Sequence, residues 1–118
     1  MSHRDPRYDI LFEEVQIGPI TTPNRFFSVP HATGHNPLMP NGSIGMREMK
    51  AEGGWGTVCT EYCSIHPTSD DDPFPHASIW DDSDVRALGL MVEKVHKHGA
   101  LAGCELWHGG AASANLYS

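Results

Sequence analysis

The strongest hydrophobic pattern in the chain is a helical stripe followed by a short apolar strand. Apolar residues recur at helical spacing at four positions, Val85, Leu88, Val92 and Val95. This stripe predicts an amphipathic helix that Ser83 caps and that ends before Gly99, a residue type typical of the C′ position. Residues 101–108 then form a short apolar run that predicts a strand, which carries Glu105 and ends at His108.

A second helix and strand precede this pair. Ser43 is predicted to cap a helix that runs to about Glu52 and stops at Gly53-Gly54. Residues 57–62 are short, apolar and β-branched, which is typical of a buried strand. The polar segment 66–80 that follows is long enough to be a functional loop.

Residues 9–29 are predicted to be rich in β-structure. Gly18-Pro19 is a turn signal between two short apolar runs, which predicts a hairpin. A further short strand over 24–29 ends at Pro30, because proline cannot donate to a β-ladder. The segment 33–43 contains several glycine, proline and asparagine residues and is therefore predicted to be a loop.

These elements predict an α/β fold, namely the N-terminal portion of a (β/α)8 TIM barrel. It would contain about the first three βα units, preceded by an N-terminal hairpin. Two or three such units leave a parallel sheet with uncovered faces, and a closed barrel needs about 250 residues. We therefore expect residues 1–118 to be the N-terminal part of a larger barrel domain whose remainder, with any further domains, lies elsewhere. A small complete α/β domain is the alternative.

Composition and charge narrow the possible partners. The formal net charge of -7 argues against nucleic acid and anionic membranes, and no segment approaches the roughly 18 apolar residues of a membrane span. Residues 1–6 lack the apolar core of a signal peptide. Three cysteines, Cys59, Cys63 and Cys104, lie in apolar strand patterns, and an odd number of buried thiols fits a reducing compartment. We expect a cytoplasmic protein without a metal site.

Residues that could carry chemistry are found where the predicted strands end. Three segments qualify, namely Pro30-His31-Ala32, Glu61-Tyr62 and the run from Glu105 to His108. In a barrel these segments would lie side by side around one opening, where active sites of this fold are located. The common nucleotide-binding and nucleophile motifs, such as G-x-G-x-x-G and G-x-S-x-G, do not occur in the sequence.

Each candidate also has a purely structural explanation. Glu105 lies in an apolar strand, where its carboxylate must either pair with an arginine elsewhere or accept hydrogen bonds from a ligand. Tyr62 could equally be a core aromatic residue. His31 and His108 taken singly are more often structural than catalytic, and only their shared position at one opening favours function.

Several longer blocks make the chain resemble a known family. They are 4–6, 9–12, 24–26, 29–31, 50–55, 60–65, 79–81, 99–103, 105–107 and 109–110, and they extend over nearly the whole chain. The chain resembles the trimethylamine and dimethylamine dehydrogenase branch of the old yellow enzyme family, a family of FMN-dependent (β/α)8-barrel oxidoreductases. The Leu-Trp-His element at 106–108 is shared with the ene-reductase branch.

The resemblance implies roles for individual residues. Val29, Pro30, His31 and Ala32 would form the loop after the first barrel strand, whose backbone holds the flavin ring. Tyr62 would end the second strand beside the flavin and form one wall of an aromatic bowl around a methylated ammonium, and His108 is the second candidate for substrate binding. Glu105 would end the third strand near the pyrimidine edge of the flavin, where many ene-reductases have glutamine. The resemblance assigns no catalytic acid or base to this chain.

One position departs from the family. Ala32 stands where the amine dehydrogenases tether FMN through a cysteine, so the resemblance implies FMN that is bound without a covalent bond. A 4Fe-4S cluster and a second nucleotide site, where the family has them, would lie beyond residue 118.

The resemblance implies an FMN-dependent oxidoreductase that oxidises a methylated or other small amine by hydride transfer to the flavin. Its electron acceptor is unspecified, and the full-length protein is expected to be a homo-oligomer. One alternative is an NAD(P)H-dependent ene-reductase or 2,4-dienoyl-CoA reductase. Another is a barrel metallohydrolase with His31, Glu105 and His108 as ligands. The isolated 118-residue piece is expected to be inactive.

Overall fold

The computed structural model describes residues 4–35, 39–69 and 77–112. Its N-terminal part is a short 3-10 helix followed by a β-hairpin. The 3-10 helix is Pro6–Phe12, and the hairpin strands are β1, Val15–Ile17, and β2, Ile20–Thr22. The antiparallel pairing of β1 and β2 confirms the predicted hairpin. The expectation of β-structure from residue 9 was wrong up to Phe12, because Asp5 caps a helical turn by accepting a hydrogen bond from the Arg7 backbone N–H.

The central sheet contains three parallel strands. They are β3, Phe27–Ser28, β4, Thr57–Ser64, and β5, Leu101–Trp107, with β4 in the middle. Strand β4 is two residues longer than predicted, and β3 is much shorter than the predicted strand over 24–29. The Asn24 carboxamide accepts a hydrogen bond from the Phe26 N–H at 3.0 Å and donates one to the Gly54 carbonyl at 2.8 Å. These bonds hold residues 24–26 in a turn instead of the ladder.

Helix α1, Pro40–Glu52, begins four residues earlier than predicted, because its N-cap is Met39 and not Ser43. Proline is favoured in the first turn because its missing N–H would have no partner there. Ser43, predicted as the N-cap, is instead buried inside the helix, where its hydroxyl accepts a hydrogen bond from Arg47 Nη1 at 2.7 Å. Gly53 ends the helix as predicted.

Helix α2, Asp82–His96, is capped by Asp81 and not by Ser83. The Asp81 carboxylate accepts hydrogen bonds from the backbone N–H groups of Ser83 and Asp84, at 2.7 and 3.1 Å. Gly99 has the expected positive φ of 76°, but it lies two residues after the C-cap, Lys97. Residues 36–38 of the first predicted loop and 70–76 of the second lie outside the described residues.

Both helices pack on one face of the sheet. The core consists of Ala51 from α1, Val58 from β4, Met91 and Val95 from α2, and Ala100. The buried face of α2 therefore includes Met91, which was not among the four predicted apolar positions. Val85, which was among them, is 54% exposed. The opposite face of the sheet has no covering element among the described residues. No helix in the described part of the chain is long and apolar enough to cross a membrane.

The three cysteines differ in burial. Cys59 and Cys63 on β4 are buried as expected, whereas Cys104 is exposed because it lies on β5, at the edge of the described sheet. All three are free thiols. Burial raises the pKa of the Cys63 thiol to about 12, so this side chain stays uncharged in the core.

Gly103 is required by the packing between β4 and β5. A Cβ at this position would lie 2.6 Å from Cys59 Sγ, and a side chain there would overpack the sheet. We expect Gly103→Ala to lower the free energy of unfolding by about 1–3 kcal/mol, as measured by chemical denaturation of the full-length protein. Adding Cys59→Ala should recover part of the loss. Gly45→Ala is the control, because a Cβ at that site in α1 would meet no atom within 4 Å apart from its chain neighbours and its own helix backbone. Equal losses from both variants would contradict the packing argument.

Candidate functional site

The three predicted segments lie at one edge of the sheet. Because β3, β4 and β5 are parallel, their carboxyl ends meet at the same edge. The loop 29–32 follows β3, Tyr62 lies near the end of β4, and Glu105 lies near the end of β5, before His108. Tyr62 and Glu105 each lie two residues inside their strand, so the expectation that they end the strands was wrong by that distance.

A β-bulge decides which way Tyr62 points. Cys59 pairs with Gly103 and Tyr62 pairs with Glu105, so β4 advances three residues where β5 advances two. The extra residue places Tyr62 on the same face as Cys59, whereas strict alternation would have turned it toward the helices. This face is the one opposite α1 and α2. Tyr62 and Glu105 are therefore side by side on the uncovered face.

Trp107 adds a second aromatic ring beside Tyr62. The ring centroids are 5.7 Å apart and the planes are inclined by 52°. Tyr62 is half-buried and Trp107 is exposed. The predicted run from Glu105 to His108 contains Trp107 but assigned it no role, although its position two residues after Glu105 in a strand places both on one face.

Glu105 is exposed, and its backbone N–H donates a hydrogen bond to Thr60 Oγ1 at 3.2 Å. Within residues 4–35, 39–69 and 77–112, no side chain donates a hydrogen bond to its carboxylate. The structure thus shows no arginine partner for Glu105 in this part of the chain. A carboxylate in this position is available to accept hydrogen bonds from a bound molecule.

The buried carboxylate of this region belongs to Glu61. Glu61 and Arg47 are each only 1% exposed, and both line a cavity of about 40 Å³ between β4 and the helices. Burial lowers the pKa of the Arg47 guanidinium, and the Glu61 carboxylate opposes this shift. Neither Glu61 oxygen receives a hydrogen bond from a described residue. Glu61, predicted to share the opening with Tyr62, instead lies on the helix side of the sheet.

The loop 29–32 is exposed on one side and anchored on the other. Val29 is 62% exposed and Ala32 is also exposed. The His31 carbonyl accepts a hydrogen bond from Arg47 Nη2 at 3.2 Å, and the His31 ring nitrogen Nε2 lies 3.2 Å from Lys50 Nζ. The sequence pattern assigned no role at this site to Arg47 or Lys50, so both contacts are new from the structure.

His108 takes part in a hydrogen-bonded chain between two loops. Its Nδ1 accepts a hydrogen bond from the Gly110 N–H at 2.9 Å, and its Nε2 lies 3.3 Å from Thr68 Oγ1. Thr68 Oγ1 in turn lies 2.8 Å from His66 Nδ1. The described residues contain no group of three His, Cys, Asp or Glu side chains placed to hold a metal ion, so His31, Glu105 and His108 do not form the ligand set of the metallohydrolase alternative.

The site combines an aromatic pair, an exposed carboxylate and a loop that presents its backbone. A flat heteroaromatic ring with N–H donors would find an acceptor in Glu105, and a cation would find the faces of Tyr62 and Trp107. The acceptor and the aromatic faces present at this edge therefore fit a flat heteroaromatic ring such as a flavin.

Comparison with known proteins agrees with this chemistry. Residues 10–117 match the NADH:flavin oxidoreductase / NADH oxidase family. Over 107 residues the chain is 53% identical to dimethylamine dehydrogenase from Hyphomicrobium sp. (strain x), covering 91% of this chain and 14% of that protein.

Two solved structures share the fold. The 6-hydroxypseudooxynicotine amine oxidase HisD from Pseudomonas geniculata N1 superimposes with a TM-score of 0.89 at 51% identity, covering 98% of this chain and 17% of that one. Histamine dehydrogenase from Rhizobium sp. 4-9 gives a TM-score of 0.90 at 44% identity, covering 97% and 18%.

The chain thus spans less than a fifth of the length of each of these three proteins. The predicted fold is confirmed, since the parallel α/β arrangement is that of the N-terminal part of TIM-barrel oxidoreductases. The chain belongs to the NADH:flavin oxidoreductase / NADH oxidase family.

Proposed function

We propose that this chain is the N-terminal part of an FMN-dependent oxidoreductase that oxidises a methylated or other small amine. The observation that carries the proposal is the pairing of Tyr62 with Glu105 on the uncovered face, next to the loop 29–32. Its support from relatives is that all three proteins described above are amine dehydrogenases or oxidases by name.

Different residues of this chain would bind the flavin and the substrate. The loop from Val29 to Ala32 would border the flavin ring, and Glu105 would accept a hydrogen bond from a ring N–H. Tyr62, with Trp107 beside it, would hold the cationic end of the amine, and His108 would contact the substrate from the loop after β5. Bound FMN supplies the redox chemistry by accepting a hydride from the substrate.

Ala32 supports non-covalent binding of FMN, because an alanine methyl group cannot form the thioether that a cysteine forms in the amine dehydrogenases. The phosphate site, any 4Fe-4S cluster and any second nucleotide site would belong to a longer protein. The uncovered sheet face supports that extension, because parallel sheets are normally covered on both faces. We further propose a homo-oligomer in the cytoplasm, where free thiols such as Cys59 and Cys63 persist.

Acid precipitation of the full-length protein tests the cofactor proposal. We expect a yellow protein that releases all of its flavin into the supernatant, because the tethering residue is absent. Yellow colour retained in the pellet would mean that another residue forms a covalent bond. A colourless protein that FMN does not reconstitute would contradict the flavoenzyme proposal.

Anaerobic reduction separates the amine from the NAD(P)H alternative. Dimethylamine or another small amine should bleach the flavin absorbance, whereas bleaching by NAD(P)H alone would favour the ene-reductase class. The amine and NAD(P)H are added to aliquots of one preparation with the same flavin content. A failure to bleach with one of them then cannot result from missing flavin.

A further inference from the structure

Two cationic side chains of helix α1, Arg47 and Lys50, contact the loop 29–32. Arg47 and Lys50 are three residues apart and so lie on one face of the helix. The buried Arg47 guanidinium donates to three elements at once, namely to the Cys59 carbonyl of β4 at 2.9 Å, to the Ser43 hydroxyl of α1 and to the His31 carbonyl at 3.2 Å. Since a guanidinium is planar and rigid, these bonds fix the His31 backbone relative to the sheet.

The contacts of the His31 ring select one tautomer. Its Nδ1 lies 3.4 Å from the Val29 carbonyl oxygen, and its Nε2 lies 3.2 Å from Lys50 Nζ. A carbonyl oxygen only accepts and an ammonium group only donates, so Nδ1 must carry the proton and Nε2 must be the acceptor. Both contacts are satisfied only in the neutral ring, because a protonated ring would face the Lys50 ammonium with a second cationic N–H.

Lys50 is itself held in place. Its Nζ also donates to Ser28 Oγ, at 3.2 Å, on the last residue of β3. Lys50 thus joins α1 to the residue before the loop and to the ring within it. With Arg47, it holds the loop at both its backbone and its side chain.

We propose that Arg47 and Lys50 are positioning residues for the cofactor loop, and that Lys50 holds His31 as the neutral Nδ1–H tautomer. His31 then serves the site as a fixed neutral ring whose Nε2 is occupied, and it does not donate a proton to the bound molecule. This inference rests on the proposed function, since it assumes that FMN lies beside the loop 29–32.

The test compares Lys50→Met and Lys50→Arg in the full-length protein. FMN binding to the apoprotein is measured by quenching of flavin fluorescence. Lys50→Met should raise the Kd for FMN about tenfold, a change of about 1.4 kcal/mol, whereas Lys50→Arg, which keeps a cationic donor, should stay within about threefold. Lys94→Met is the control, because Lys94 on α2 pairs with Glu48 and not with the loop.

A second readout does not need flavin. Nitrogen-15 NMR of labelled histidine in the apoprotein, with His31→Gln used for assignment, should show the His31 proton on Nδ1 in the wild type and lose this preference in Lys50→Met. A proton on Nε2 in the wild type, or FMN binding in Lys50→Met equal to that of the wild type, would overturn the proposal. If the wild type bound no FMN, the proposed function would fail, while the NMR result would still decide the tautomer.

Discussion

Replacing Arg47 by methionine should lower the free energy of unfolding by about 3–5 kcal/mol, the range expected when a buried charge is left uncompensated. Arg47 and Glu61 are both 1% exposed, so neither is solvated by water when the other is lost. The variant would leave the Glu61 carboxylate without a compensating charge, and it would strip hydrogen-bond donors from the Ser43 hydroxyl and the Cys59 carbonyl. Urea denaturation of the full-length protein, followed by far-ultraviolet circular dichroism, measures the loss.

The double variant Arg47→Met/Glu61→Gln isolates the charge. If the stranded carboxylate causes most of the loss, removing its charge should restore a large part of it, so the two substitutions should be strongly non-additive. Glu48→Gln is a matched control on the same helix, because Glu48 pairs with Lys94 and Lys97 at the surface. Losses that simply add would show that Arg47 stabilises the protein through its hydrogen bonds and not through Glu61.

The alternation of helices and strands could be predicted because each element leaves a local pattern. The stripe of α2 and the β-branched run of β4 gave the element types and the parallel sheet. The helix starts were less predictable, because several residues compete for each cap. Proline at position 40 and Asp81 prevailed over the two serines, Ser43 and Ser83.

The sequence did not predict on which face of the sheet each site residue lies. The side chains of β4 are buried at nearly every position, so its pattern carries no alternation that would reveal the bulge before Tyr62. For this reason the two neighbours Glu61 and Tyr62 were assigned to the same opening, although they face opposite sides of the sheet. A carboxylate buried near an arginine was the structural alternative for Glu105, and the structure shows this arrangement at Glu61, which lines the same cavity as Arg47.

The contacts of Arg47 and Lys50 with the loop 29–32 also could not be predicted from local sequence patterns. Arg47 contacts backbone carbonyls of residues 12 and 16 positions away, and backbone acceptors exist at every residue. The spacing of Arg47 and Lys50 shows only that they share a face of α1. Which loop lies on that face follows from the packing of α1 against β4, and this depends on the whole sheet.

Removing the aromatic ring at position 62 should weaken amine binding more than any other single change at the opening. A cation over an aromatic face is stabilised by about 0.5–2 kcal/mol, more when it is desolvated, and about 1.4 kcal/mol corresponds to a tenfold change in affinity. In the full-length enzyme, Tyr62→Ala should therefore raise the KM for a methylated amine about 10–30-fold. Steady-state kinetics with dimethylamine measures this change.

Tyr62→Phe separates the ring from its hydroxyl group. Phenylalanine keeps the aromatic face, so its KM should stay within about threefold of the wild type if the cation over the ring carries the binding. The KM effect should also exceed any effect on kcat, because holding the ammonium stabilises ground state and transition state alike. The Tyr62 ring also packs against Trp107, so the Kd for FMN and the unfolding temperature of each variant are measured alongside. An unchanged KM in Tyr62→Ala, with flavin bound and the fold intact, would remove Tyr62 from the substrate site and leave its ring a packing role against Trp107.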